Sequence, residues 1–250
     1  MDPGSLLLIA SWSFAVALAG GTAGLVLGNL RLPVVLLFAT SAAAGAGANV
    51  AISGVAAAAA ASIHIRAGRV NWRLLWLMGP PSLVGGIVGG VISGALPSRV
   101  LLGVISVVVL YGAVETARHG QRQAPAPASE PHRLAAVATG LGVGVLGGIV
   151  GLILGTLRLP AMLRWVGVDA QGAVATNSAI GVMLALGAVI GHLGGDIDWN
   201  IALAGSTGAI PGALLGAHLV GRFETRTLLR VVAVVLVVSG LAMAATAIAG

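Results

Sequence analysis

The chain of 250 residues contains no cysteine. That excludes disulfides, thiolate chemistry and zinc–sulfur sites. Lysine is absent too, and all thirteen basic residues are arginine. A GxxxxGK[ST] phosphate loop is therefore missing, and ATP drive would need a partner. Charged residues make up 8% of the chain and hydrophobic ones 58%. A soluble domain carries about 25% charged residues, so these proportions define an all-α polytopic membrane protein. The net charge of +6 is not a nucleic-acid signal, because the arginines fall in short loops, where they set orientation. The first residues, Met1-Asp2-Pro3-Gly4, lack the basic start of a signal peptide. The first apolar run is expected to be retained as a membrane helix.

One stretch occurs twice. Gly20-Gly21-Thr22-Ala23-Gly24-Leu25-Val26-Leu27-Gly28-Asn29-Leu30-Arg31-Leu32-Pro33 returns as Gly147-Gly148-Ile149-Val150-Gly151-Leu152-Ile153-Leu154-Gly155-Thr156-Leu157-Arg158-Leu159-Pro160, 127 positions later (158 − 31 = 127). Small residues let helix backbones pack closely in lipid, and proline breaks helices. An arginine inside apolar sequence is expensive unless it has a function. Two copies suggest one site built from two halves. The correspondence extends further: 48–52 aligns with 176–180, His64 with His192, Asn71-Trp72 with Asp198-Trp199, Gly85 and Gly89 with Gly212 and Gly216. The chain divides into a first repeat (1–118), a polar linker (119–133) and a second repeat (134–250).

Each half reads as a span (4–30; 134–157), a long broken segment (33–65; 160–195), a glycine-rich span (74–96; 199–221) and a last span (100–117; 231–250). The break in the first is expected at Ala44-Gly45-Ala46-Gly47-Ala48-Asn49. If every segment crosses the bilayer, giving eight ordinary helices in parallel repeats, the arginines divide six against seven. If each broken segment enters and leaves on one side as a re-entrant hairpin, the repeats are inverted. One side then holds Arg31, Arg66, Arg69, Arg73, Arg118, Arg122, Arg133, Arg222, Arg226 and Arg230, and the other only Arg99, Arg158 and Arg164. Ten against three is the stronger positive-inside pattern. Inverted repeats with a cytoplasmic linker are expected, in a multi-pass cell (inner) membrane protein.

These paired glycine-rich segments ending in proline, the Asn-containing stretch after each, the Gly68-Arg69-Val70-Asn71-Trp72 loop with its partner Asp196-Ile197-Asp198-Trp199, and the glycine-rich spans resemble the TauE/SafE sulfite-exporter family of membrane transporters over nearly the whole chain. The resemblance implies transport of small sulfur-containing or organic anions, such as sulfite, sulfoacetate, thiosulfate or related sulfonates. The second repeat has a thinner glycine cluster than many members.

The residues suggest an anion bound where broken helices meet near the midplane, since helix starts offer free N–H groups and a positive dipole end. Arg31 and Arg158 are the expected counter-charges, and interfacial snorkelling is the alternative for each. Asn49 and Asn177 are expected to cap helix starts. Thr40, Ser41, Ser53, Thr176 and Ser178 offer hydroxyls to the anion. His64 and His192, a matched pair, and the carboxylates Glu115 and Asp169 are the groups that could relay a coupled proton. No cofactor or metal is expected, and the partners are the small anion and the lipid bilayer. Two other classes compete. A passive pore is one. An intramembrane serine hydrolase is the other, from Ser206 and His218, although twelve residues of helix place those about 18 Å apart.

Overall fold

The computed structural model describes residues 1–23, 27–119, 133–155, 157–158, 162, 170–195, 197–219 and 225–249. Asp169, Pro160, Arg164, Asp196 and the linker interior (120–132) lie outside the described residues. The elements are α1 (Pro3–Ala23), α2 (Gly28–Phe38), α3 (Ala42–Arg66), α4 (Trp72–Ala95), α5 (Ser98–His119), α6 (Arg133–Val150), α7 (Ala170–His192), α8 (Trp199–His218) and α9 (Thr225–Ala249). No strand occurs among the described residues. Among the described residues six helices are long and apolar enough to cross a bilayer: Pro3–Thr22, Ala42–Arg66, Trp72–Ala95, Ser98–Glu115, Arg133–Val150 and Gly172–His192. Gly28–Phe38 and Leu236–Ile248 are shorter apolar pieces.

Glycine decides the packing. Gly208, Gly212 and Gly216 of α8 lie against the backbone of Ala10, Phe14 and Leu18 of α1, so the two helices run side by side in one direction. Two stripes on α4 do the same work on two faces. Gly85 and Gly89 meet Gly144 and Gly148 of α6, while Gly86 and Gly90 meet the α7 backbone at Leu184 and Ala188. A Cβ added to Gly86 would stand 2.6 Å from the Leu184 carbonyl, and one on Gly90 2.6 Å from that of Ala188. Without side chains between them, the backbones come close enough for dispersion to hold the helices together where lipid offers no hydrophobic drive. Large apolar side chains such as Leu7, Trp76, Val107, Leu203 and Ile248 point outward instead, where lipid replaces water as solvent.

At the centre α3 crosses α7 in opposite directions: Gly47 faces His192, Gly54 faces Ala185, and Ala57 faces Gly181. The α3 helix runs parallel to α8, with Ala44 beside Asp198 and Ile52 beside Gly205. The α7 helix runs parallel to α4, with Leu83 beside Gly187 and Ile87 beside Gly191. A separate contact joins α5 to α9, where Leu110 packs on Gly240.

Two sequence expectations change. The chain does not break at Ala44–Asn49. The α3 helix is continuous over 25 residues, about 37 Å long, and the turn lies earlier, at Ala39–Ser41. The glycines there provide room rather than a bend, Gly45 for Leu36 and Ala39, Gly47 for the His192 ring. Nor does Pro33 end a helix. It sits inside α2, as Pro80 and Pro81 sit inside α4 and Pro211 inside α8. Neighbouring helices in a membrane tolerate such prolines. The interruption that matters precedes the arginine, between α1 and α2.

Candidate functional site

The α2 helix is 11 residues long, about half the thickness of the hydrocarbon core. It folds back antiparallel along α3: Leu36 packs at Gly45, Arg31 reaches Asn49, and Gly28 sits against Ser53. Its N-terminus is thus held at mid-depth on α3. Leu27 precedes it with no side-chain cap, and in the first turn the Leu30 N–H donates to the Leu27 carbonyl at 3.0 Å and to the Asn29 side chain at 3.1 Å.

Arg31 is 2% exposed. Its Nε donates to the Asn49 side-chain oxygen at 2.9 Å, and its Nη2 to the Asn49 carbonyl at 3.3 Å and to the Ser53 hydroxyl. Asn49 in turn donates to the Gly28 carbonyl at 3.3 Å and the Gly151 carbonyl at 2.8 Å, tying the first broken segment to the second. Arg158 is 0% exposed. Its Nη1 donates to Asn177 at 3.0 Å and its Nη2 to the Ile153 carbonyl at 3.4 Å, while Nε has no partner. Every group on either guanidinium among the described residues is neutral. A cation at the centre of a membrane costs about 2.5–3.5 kcal/mol on insertion scales, and neutral dipoles offset only part of that.

The segment between Gly151 and Gly155 is non-helical and strained. Gly151 has φ 70° and Leu154 φ 48°. For leucine the left-handed region costs about 1–3 kcal/mol. A Cβ on Gly151 would lie 2.6 Å from the Ala46 carbonyl carbon, and one on Gly155 about the same from the Asn177 amide. Gly28 and Gly155, equivalent under the 127 offset, line one cavity of about 20 Å³ together with Asn29 and Leu154. The start of α2 and the segment that follows α6 therefore meet there. A second cavity of about 30 Å³ runs along α3 from Gly28 and Arg31 past Ala56 and Ala60 to His64, lined on its other sides by Gly21, Ser178 and Ala217. Each holds a water or two, less than a sulfur oxyanion occupies.

The expected residues fall into groups. Arg31, Asn49 and Ser53 form one cluster, which shares its cavity with Ser178 and His64. Arg158 and Asn177 form the second. Both asparagines lie in helix interiors, so they bind the arginines rather than cap helix starts. Thr40 is elsewhere: its backbone N–H donates to Asp198 at 2.7 Å, tying the α2–α3 turn to the start of α8. Ser41 caps α3 through Ala44. Thr176 receives the Asn71 backbone N–H at 2.9 Å. Glu115 is buried near the end of α5. The two histidines differ. The Nε2 of His192 lies 3.0 Å from the Gly148 carbonyl. His64 makes no side-chain hydrogen bond among the described residues, and its Nδ1 is buried without a partner, a state that costs about 1–3 kcal/mol. Ser206 and His218 bond to carbonyls on their own helix, Ala202 and Leu214, and do not approach each other.

Sequence reasoning missed Gly28, Gly155, Gly151 and Asp198. The glycines were visible as fixed positions of the repeat, but not as the places where backbone meets backbone. Exchanging Asn49 for leucine is expected to lower ligand affinity about tenfold or more, because it frees the guanidinium and the Gly28 and Gly151 carbonyls at once. An equilibrium binding titration on the purified variant checks this.

A bundle of apolar helices, six of the described ones long enough to cross a bilayer, with a half-length piece beside buried cations is a multi-pass membrane architecture. The sulfite-exporter TauE/SafE family matches residues 9–243, and the chain belongs to that family. It is 32% identical over 105 residues, 42% of this chain and 38% of the relative, to the probable membrane transporter protein YunE of Bacillus subtilis strain 168. It is 31% identical over 113 residues, 45% of this chain and 44% of the relative, to the probable membrane transporter protein YjnA of the same organism. The chain thus spans less than half the length of these curated relatives. No solved structure matches it.

Proposed function

We propose that the protein is a secondary transporter of a small sulfur-containing anion of the sulfite, sulfonate, sulfoacetate or thiosulfate class. The anion is bound where the two broken segments meet and carried by alternating access. The observation behind this is the pair of buried guanidinia, Arg31 and Arg158, whose described partners are all neutral. An anion supplies the missing counter-charge through charge-assisted, forked hydrogen bonds. The helix start at Gly28 adds its dipole. His64, on the Arg31 cavity, is the best placed of the candidate proton-relay groups.

The repeats are inverted on this reading. Support comes from helix direction. The first-repeat helix α3 opposes its counterpart α7, and α1 follows α8 and α3 while its counterpart α6 follows α4 and α7. The end bearing Arg66, Arg69 and Arg73 is then cytoplasmic, as is the 119–133 linker. A tag placed in that linker should be modified only after the membrane is opened; modification of intact cells by an impermeant reagent rejects this orientation.

The substrate class is tested by thermal shift of the purified protein against sulfite, thiosulfate, sulfoacetate, taurine and chloride. A ligand at 100 times its Kd stabilises the fold by about 2.7 kcal/mol. A rise with one sulfur anion, lost in Arg31→Ala, is expected. Equal stabilisation by chloride, or none by any sulfur anion, overturns the class.

A further inference from the structure

We propose that His64 and Gly21 form a gate at the Arg66 end of the Arg31 cavity, and that His192 and Gly148 are the same gate, shut, at the opposite end. The proposal rests on the transport reading above. The two histidines are equivalent in the repeat, and so are Gly21 and Gly148 (148 − 21 = 127). Both glycines lie in the last turn of a helix, α1 or α6, where carbonyls lack intrahelical partners. At one end the bond is made: His192 Nε2 stands 3.0 Å from the Gly148 carbonyl. A carbonyl only accepts, so Nε2 carries the proton. At the other end it is not made. His64 and Gly21 face the same cavity, and the ring has no hydrogen-bond partner among the described residues.

A second contact fastens the shut end. Asp198 accepts from the Thr40 backbone at 2.7 Å, and Asp198 lies beside Ala44, on the same side of the molecule as Gly47 and His192. The cavity runs the other way, from Arg31 to His64. Transport exchanges the two bonds: His192 releases Gly148 as His64 takes Gly21. The sequence also explains which bond is present at rest. The His192 ring rests on Gly47, with 3.2 Å between Cγ and the place a Cβ would occupy. The residue equivalent to Gly47 is Ala175 (47 + 128 = 175), so the matching position in the second repeat carries a methyl that Gly47 lacks.

The chain has no cysteine, so a single Ala60→Cys in the cavity wall reports access without background. An impermeant maleimide is applied to membrane vesicles from the side bearing Arg66, Arg69 and Arg73. Adding His192→Leu should lower the labelling rate about tenfold, the shift one net hydrogen bond gives. Ala175→Gly should lower it in the same direction, and His64→Leu should keep it at or above the parent rate. An unchanged or faster rate in His192→Leu overturns the gate. If that variant does not accumulate, Ala175→Gly alone decides in the same way. Anion uptake is read on the same vesicles. A labelling shift with no sulfur anion transported keeps the gate and overturns the substrate class. Uptake lost in Arg31→Ala without a labelling shift in His192→Leu does the reverse.

Discussion

Alanine at position 31 or 158 is expected to lower anion transport by about 100-fold or more while the protein still folds. Truncating one partner of a desolvated charge pair costs about 2–5 kcal/mol, and each 1.4 kcal/mol is tenfold. Folding should survive because the variant removes an expensive buried cation together with its hydrogen bonds. The groups left behind, Asn49 and Ser53 or Asn177 and the Ile153 carbonyl, gain space for water in exchange. Lysine should rescue only part of the loss. It restores the charge but not the fork that binds an oxyanion at two points. Radiolabelled anion uptake at matched membrane expression gives the first number, and the melting temperature of the purified variant the second. Uptake at the parent level in both alanine variants sinks the site. A collapsed melting temperature would recast the arginines as structural.

Valine in place of Gly89 should have the opposite profile, with no assembled protein at all. A Cβ at Gly89 would lie against the Val145 carbonyl, 2.8 Å from the Ile149 nitrogen and 2.9 Å from the Gly148 Cα. These are backbone atoms of another helix, which cannot rotate away as a side chain would. Over-packing a well-filled core costs about 1–3 kcal/mol; displacing a whole helix belongs to the rarer class above about 4 kcal/mol. Gly142 is the matched control, since a Cβ there meets nothing within 4 Å. Gly142→Val is expected to accumulate normally. Size-exclusion profiles of the two detergent extracts make the comparison, and a monodisperse Gly89→Val peak would contradict the packing account.

Much of this molecule was legible before folding. The spans follow from the near absence of charge, and the paired Arg31–Asn49 and Arg158–Asn177 clusters follow from the repeat, with an offset of 127 for the arginines and 128 for the asparagines. The glycine stripes at 85, 89, 212 and 216 were recognisable as packing faces because small residues at helical spacing have few other uses in lipid. The helix boundaries were not legible. Ala44 to Asn49 carries the residues that end helices in water, but α3 passes straight through them. In a bilayer an opened backbone has no water to bind, so the same glycines serve close approach instead. The asparagines were misplaced for a related reason. Their capping propensity is a property of solvated helix starts, while here the strongest donors within reach are two guanidinia. Nor could the pattern distinguish His64 from His192. The repeat makes them equivalent, and what separates them in the structure is the Gly148 carbonyl that His192 holds and the buried, unpartnered Nδ1 of His64.

The glycine seams carry a further consequence, for biogenesis. Each of them joins the first part of the chain to the second: α1 closes on α8, and α4 on α6 and α7. When α1 to α5 have left the ribosome, their tightest faces still have no partner. Insertion and assembly must then be separate events, with the early helices waiting in the bilayer until residues beyond Gly216 arrive. During that interval the exposed glycine faces are available to any helix with a matching stripe, including those of a second copy.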